Sequence, residues 1–155
     1  MKILVFGAGV LGCNLARNFY RAGKDVTLLA RGEWGETIRK NGLQIKDKFS
    51  FRMSVSKIPV VSELRPEDRY DVIFVVLRYT QLSAILDTLR ANPTKNIVFV
   101  GNDVSAAALT ADLPELTGLI QSAFVDAPPF SVREGKFIRR GYNEEVDRLW
   151  DLIEN

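Results

Sequence analysis

The stretch Lys2-Ile-Leu-Val-Phe-Gly-Ala-Gly-Val-Leu-Gly12 decides the fold. Residues 2–6 form a short apolar run, which is typical of a strand buried on both faces of a sheet. The three glycines that follow have the spacing G-x-G-x-x-G. This pattern alone has little specificity, but directly after a strand and at the start of a helix it predicts a dinucleotide-binding turn.

Each glycine of the turn has a predicted role. Gly7 permits a tight turn out of the strand, Gly9 lets a pyrophosphate approach the backbone, and Gly12 lets the helix pack close to the sheet. The free amides at the start of the helix would then hold the phosphates. The alternative interpretation is a glycine turn that serves packing alone.

The rest of the chain alternates between strand and helix patterns. Strands are predicted at residues 2–6, 25–30, 70–77, 96–100 and 119–125. Helices are predicted at about 10–22, 33–40, 82–91, 105–112 and 143–153, and hairpins within 44–55 and 128–140. This order predicts one α/β domain over residues 1–155, with a Rossmann-type, doubly wound, mostly parallel sheet and helices on both faces.

Composition excludes several classes of function. The 21 basic and 19 acidic side chains leave a net charge of only +2, which argues against binding to nucleic acid or a membrane surface. The single cysteine, Cys13, allows no intrachain disulfide, and no signal peptide or membrane span is evident, so a cytoplasmic location is expected. Because the chain has no histidine, we predict no metal site and assign no catalytic residue.

The end of the second predicted strand selects the cofactor. A site for NAD usually carries Asp or Glu there, bonded to the ribose hydroxyls. This chain has Ala30 followed by Arg31, and a guanidinium can bind a 2′-phosphate through paired hydrogen bonds. The sequence therefore predicts NADP(H). The alternative is a surface arginine that pairs with Glu33.

Further candidates follow the next two strands. Arg78 and Gln81 come just after the strand that ends at Leu77, and Asn102 follows the strand at 96–100. The carboxyl ends of parallel strands face the ligand crevice, so these residues are predicted to point toward ribose, nicotinamide and substrate. The alternatives are an exposed helix start and a turn residue. The predicted cofactor-binding residues are Gly7, Ala8, Gly9, Val10, Leu11, Gly12, Arg31, Leu77, Arg78, Gln81 and Asn102.

Three other features are interpreted as structural. Tyr20 and Lys24 match the Tyr-x-x-x-Lys relay of short-chain dehydrogenases, but they lie at the far end of the first helix. Cys13 is expected to pack within the first helical turn. For Trp34, a position over an adenine competes with the favoured interpretation, an aromatic side chain seated on the domain surface.

Three segments together resemble the N-terminal domain of the ketopantoate reductase (2-dehydropantoate 2-reductase) family. They are residues 2–12, Val26-Thr-Leu-Leu-Ala-Arg-Gly32 and Gly42-Leu-Gln-Ile45, and the resemblance continues loosely beyond residue 103. It implies NADPH-dependent reduction of the 2-oxo group of ketopantoate, in the pathway to pantothenate and coenzyme A. It also implies pyrophosphate at residues 7–12 and the 2′-phosphate at Arg31.

The same resemblance extends to the later candidates. Arg78 stands where the family usually has a lysine near the nicotinamide ribose, and Gln81 matches a frequent glutamine. Asn102 matches the asparagine of a Gln-Asn-Gly turn that contacts cofactor and substrate, although the turn here is Gly101-Asn102-Asp103.

Enzymes of the family carry a second, helical domain with a catalytic lysine and a substrate-binding glutamate, and this chain stops where that domain would begin. We therefore expect the cofactor-binding half of a ketopantoate-reductase-like oxidoreductase, either a fragment or a natural single-domain relative. It would use a small 2-oxo acid only with a second domain or subunit. A homodimer is possible, since removing a packed domain would expose apolar surface. Alternatives are a non-catalytic NADP(H)-binding sensor or assembly module, and another Rossmann class resembling 6-phosphogluconate dehydrogenase or imine reductase.

Overall fold

A single six-stranded parallel sheet organises the domain. The computed structural model describes residues 1–46 and 51–100, and beyond them the backbone of strands at 116–120, 130–133 and 136–139. The sheet contains β1 (Lys2–Phe6), β2 (Asp25–Leu29), β5 (Val60–Val61), β6 (Val72–Val75), β7 (Asn96–Val100) and β8 (Leu116–Ile120). Their order is β5-β2-β1-β6-β7-β8, and every neighbouring pair is parallel.

Two antiparallel hairpins lie outside this sheet. One pairs β3 (Leu43–Lys46) with β4 (Met53–Ser56), and the other pairs β9 (Phe130–Arg133) with β10 (Lys136–Arg139). The described helices are α1 (Val10–Arg21), α2 (Gly32–Asn41), α3 (Tyr79–Leu82) and α4 (Leu86–Ala91), with a 3₁₀ turn at Ser83–Ile85 between the last two. No helix in this part of the chain has the length and apolar character needed to cross a membrane.

Both faces of the sheet are covered, which explains why its strands are continuous apolar runs. On one face Phe19 of α1 packs against Phe74 of β6, with ring centroids 5.1 Å apart. On the other face Leu82, Ile85 and Leu89 pack over the opposite side chains of the central strands. Residues 3–5 and 72–74 are consequently inaccessible to solvent.

The structure confirms the predicted α/β class and most elements. The helix predicted at 10–22 is α1, the one predicted at 33–40 is α2, and both hairpins form. The last strand of the sheet begins earlier than predicted, at Leu116 rather than at residue 119, and residues 121–125 lie outside the described part. The helices predicted at 105–112 and 143–153 also lie outside it.

The prediction of one continuous helix around residues 82–91 was wrong. The segment is α3, a 3₁₀ turn and α4. Leu82 and Ile85 are three residues apart, and a 3₁₀ turn, with three residues per turn, keeps both on the buried face. The strand predicted at 70–77 is also shorter than expected, because only Val72–Val75 pairs as β6.

Candidate functional site

The glycine turn after β1 is fixed by two close backbone approaches. Gly7 has φ +121°, and a Cβ on it would lie 2.3 Å from the carbonyl oxygen of Val76. A Cβ on Gly12 would lie 1.9 Å from the carbonyl oxygen of Gly7. Both distances are far below any real carbon–oxygen contact. At these two positions glycine is therefore required by the fold itself, as the sequence predicted.

Gly9 differs from the other two glycines. Its φ of −76° is open to any residue, and a Cβ built on it would meet no atom within 4 Å. Neither backbone strain nor packing requires glycine here. The missing side chain instead leaves open space at the mouth of α1, so packing alone does not explain this glycine.

The same position carries unused hydrogen-bond donors. The amide of Cys13 bonds the carbonyl of Gly9 at 2.9 Å, so the amides of Val10, Leu11 and Gly12 precede the first intrahelical bond of α1. No side chain caps the helix at Gly9, and Val10 is 81% exposed. A helix start with open space and free amides favours an anionic group.

A cavity of about 430 Å³ adjoins this turn at the carboxyl ends of β1 and β2. Its size is in the range of small-molecule sites. The lining residues come from the turn, the start of α2 and the segment that follows β6: Phe6, Gly7, Ala8, Leu29, Ala30, Arg31, Trp34, Leu77, Thr80, Gln81, Ala84 and Ile85.

Arg31 contributes an unpaired positive charge to the cavity. It is exposed, and its guanidinium carbon lies 5.9 Å from the ring centroid of Phe6. Among the described residues no carboxylate forms an ion pair with Arg31, and Glu33 is in none either. Arg31 is therefore exposed, as the alternative interpretation expected, but it does not pair with Glu33, and its guanidinium can bind an anion from solution.

Gly35 sets the position of Arg31 by bringing α2 close to β2. A Cβ on Gly35 would lie 2.4 Å from the carbonyl oxygen of Ala30, which is the residue before Arg31. The amide of Gly35 bonds the Arg31 carbonyl at 3.3 Å. The start of α2 thus lies directly over the end of β2, and the cavity wall depends on this contact.

We predict that Gly35→Ala lowers the free energy of unfolding by about 1–3 kcal/mol, because the added methyl group forces two backbone segments apart. Lys40→Ala, an exposed position on the same helix, is the matched control and should change the free energy of unfolding by less than about 0.5 kcal/mol. Urea unfolding followed by circular dichroism measures both. Equal stability of the two variants would contradict the close approach.

Two side chains converge on the carbonyl of Ala8. The indole Nε1–H of Trp34 donates to this oxygen at 3.0 Å, and the thiol of Cys13 lies 3.3 Å from it. Burial raises the pKa of the Cys13 thiol, and its hydrogen bond with Trp34 offsets only part of that rise. Cys13 is therefore held as a neutral packing residue, not a nucleophile. Trp34, favoured above as a surface residue, lines the cavity while remaining 47% exposed.

Arg78 and Gln81 begin α3 but occupy different surroundings. The amide of Arg78 donates to Oε1 of Gln81 at 3.1 Å, and the amide of Gln81 donates to the Arg78 carbonyl at 2.8 Å. Because its oxygen is engaged, Gln81 has its side-chain nitrogen to offer a ligand, and it lines the cavity. Arg78 is exposed and is not among the lining residues.

The cavity brings together part of the predicted set. Gly7, Ala8, Arg31, Leu77 and Gln81 line it. Gly9, Val10, Leu11 and Gly12 lie in the adjoining turn and helix start, and Asn102 lies outside the described residues. The sequence prediction missed Thr80 of α3 and Ala84 of the 3₁₀ turn, which also line the cavity. No sequence motif marks either residue.

Taken together, a parallel sheet, a glycine turn after its first strand and a cavity at the carboxyl ends of its strands define a Rossmann-type nucleotide-binding domain. The sequence profile described as "Ketopantoate reductase PanE/ApbA" matches residues 3–128. The chain belongs to this family, whose members are NAD(P)-dependent oxidoreductases. The resemblance noted in the sequence is thus confirmed.

Solved structures of a ketopantoate reductase and of a D-mandelate dehydrogenase have the same fold. A PanE/ApbA family ketopantoate reductase from Ralstonia eutropha JMP134 is 25% identical, with a TM-score of 0.64 over 74% of this chain and 39% of its own. A D-mandelate dehydrogenase solved with NADH and anilino(oxo)acetate is 24% identical, with a TM-score of 0.65 over 74% of this chain and 38% of its own. This chain thus spans well under half the length of either protein.

Part of this chain is also similar in sequence to two DNA mismatch repair proteins. The DNA mismatch repair protein MutS of Methanosarcina barkeri is 36% identical over 86 residues, which are 55% of this chain and 9% of that protein. MutS of Salinibacter ruber is 46% identical over 74 residues, which are 44% of this chain and 8% of that protein. The chain therefore corresponds to less than a tenth of these relatives.

Proposed function

We propose that this domain binds NADP(H), with the pyrophosphate at the start of α1 and the 2′-phosphate at Arg31. The observation that carries the proposal is the guanidinium of Arg31 in the cavity wall, at the end of β2 and next to Ala30, which forms no ion pair with a carboxylate of the described residues. An acidic residue there would favour the free ribose hydroxyls of NAD, whereas a guanidinium favours an added phosphate. The open space at Gly9 supports the placement of the pyrophosphate.

Within a whole reductase this binding would serve hydride transfer from NADPH to a 2-oxo acid such as 2-dehydropantoate. Bound NADPH supplies the hydride, while the described residues bind and orient the cofactor. Reduction of a ketone also needs a proton donor near the ketone oxygen, and we assign that role to no residue of this chain. Turnover would therefore depend on a second domain or subunit. A cytoplasmic location and a homodimer remain predictions.

Thermal unfolding with NADPH and NADH in parallel tests the proposal. A ligand that binds only the folded state stabilises it by RT ln(1 + [L]/Kd), which is about 2.7 kcal/mol at a hundredfold excess over Kd. We expect NADPH to raise the melting temperature at concentrations where NADH does not. Equal shifts would contradict the NADP preference, and no shift with either would contradict cofactor binding. Oxidation of NADPH by the chain alone on addition of ketopantoate would contradict the dependence of turnover on a second domain or subunit.

The likeness to the two MutS proteins favours a second candidate, in which part of this chain serves a larger DNA mismatch repair protein. The nearly balanced charge argues against strong DNA binding by the chain alone. Fluorescence anisotropy with matched and mismatched duplexes at about 0.15 M salt tests this candidate. Tighter binding to the mismatched duplex would favour it over the reductase-like function.

A further inference from the structure

Trp34 is a cavity residue whose position the proposed binding mode does not explain. Its side chain reaches from the first turn of α2 to the glycine turn, where the indole donates to the Ala8 carbonyl at 3.0 Å. Despite this bond nearly half of the side chain remains exposed, and it forms part of the cavity wall. A large apolar surface held rigidly against open space is suited to packing on a flat ring.

The location of the indole indicates which part of a dinucleotide it would meet. In a Rossmann domain the ribose that carries the adenine lies at the end of the second strand. Arg31 precedes α2 at that point, and Trp34 follows three residues later on the same helix. The facing wall, from Thr80 to Ile85, belongs to the segment after β6. The cavity between them is therefore at the adenosine end of the site.

We infer that Trp34 is a further cofactor-binding residue that packs against the adenosine half of the cofactor and is held in place by its bond to Ala8. The inference rests on the proposed function, since it assumes that a dinucleotide occupies the cavity. It adds a contact made by neither the glycine turn nor Arg31: apolar packing on the base, which is independent of the 2′-phosphate. Trp34 thus contributes affinity for NADPH and NADH alike.

Calorimetric titration of the full chain with NADPH and with adenosine 2′,5′-bisphosphate tests the inference, because the second probe has no nicotinamide. Trp34→Ala should lower the affinity for both probes by the same factor, about 5- to 100-fold for the loss of one base–aromatic contact. Trp34→Phe keeps an aromatic face but loses the N–H donor, and its affinity for both probes should stay much closer to that of the wild type. Tyr20→Ala is the matched control, because Tyr20 is an aromatic residue of similar exposure at the far end of α1. This variant should leave the affinity for both probes unchanged.

Several outcomes would overturn the inference. They are unchanged affinity in Trp34→Ala, a loss confined to NADPH, and an equal loss in Trp34→Phe and Trp34→Ala, which would assign the effect to the hydrogen bond instead of the ring. If the alanine variant does not fold, two measurements decide: the affinity of the phenylalanine variant, and quenching of Trp34 emission by the bisphosphate in a Trp150→Phe background, where Trp34 is the single tryptophan of the chain. Absence of binding by the wild type would refute the proposed function itself. If the wild type binds both probes and the Trp34 variants bind them equally well, only this inference is refuted.

Discussion

Gly9→Val is expected to reduce NADPH affinity at least a hundredfold while leaving the domain folded. The branched side chain would fill the space at the mouth of α1 through which a pyrophosphate reaches the backbone amides. That space is empty in the fold, and the φ of −76° and ψ of −175° at this position are extended values that valine adopts readily. Because Gly9 is the N-cap residue of α1, the change in unfolding free energy should stay near 1 kcal/mol. Calorimetry measures the affinity, and urea unfolding measures the stability.

Gly12→Ala is the control that separates binding from folding. Its methyl group would lie 1.9 Å from the Gly7 carbonyl oxygen, so this variant should lose stability as well as affinity. The pair of variants thus distinguishes a glycine required by a ligand from one required by the fold. Wild-type affinity in Gly9→Val would show that no pyrophosphate passes this position.

Arg31→Ala is expected to remove the preference for NADPH over NADH. Hydrogen bonds to charged groups contribute about 1.5–3 kcal/mol, so NADPH affinity should fall about 10- to 100-fold. NADH affinity should stay nearly constant, because the guanidinium has no 2′-phosphate to bind in that complex. Parallel titration of the two cofactors against the wild type and the variant gives all four affinities.

Two further variants sharpen the assignment of Arg31. Arg31→Lys keeps the charge but loses the paired donors, and should give an intermediate preference for NADPH. Arg69→Ala removes an exposed arginine outside the cavity and should leave both affinities unchanged. If Arg31→Ala retained the full preference, the 2′-phosphate would have to be recognised elsewhere.

The sequence was sufficient for the parts of the fold that depend on local pattern. Residues 3–6 and 97–100 are continuous apolar runs, and they form the buried parts of the parallel strands β1 and β7 as predicted. The strand β5 has only two residues, which are too few to show the alternation of apolar and polar residues that predicts a strand. The break at Ser83–Ile85 depends on how Leu82 and Ile85 pack against the sheet, which is a tertiary contact.

The site was predictable to a similar extent. The glycine spacing placed the turn, but it could not distinguish Gly9 from Gly7 and Gly12, because the difference lies in what surrounds each Cα. The sequence identified Arg31 as a candidate. Whether Arg31 forms an ion pair with Glu33 depends on side-chain geometry, which the sequence does not show. For Trp34 the sequence favoured a seat on the domain surface over a position on the adenine. Its bond to Ala8 joins residues 26 positions apart, so no local pattern indicates it.

A crystal structure of the chain with NADPH tests the central claim most directly. We predict that the pyrophosphate lies within hydrogen-bond distance of the amides at the start of α1, beside Gly9, and that the 2′-phosphate lies on the Arg31 guanidinium. Nucleotide bound elsewhere, or a 2′-phosphate turned away from Arg31, would contradict it.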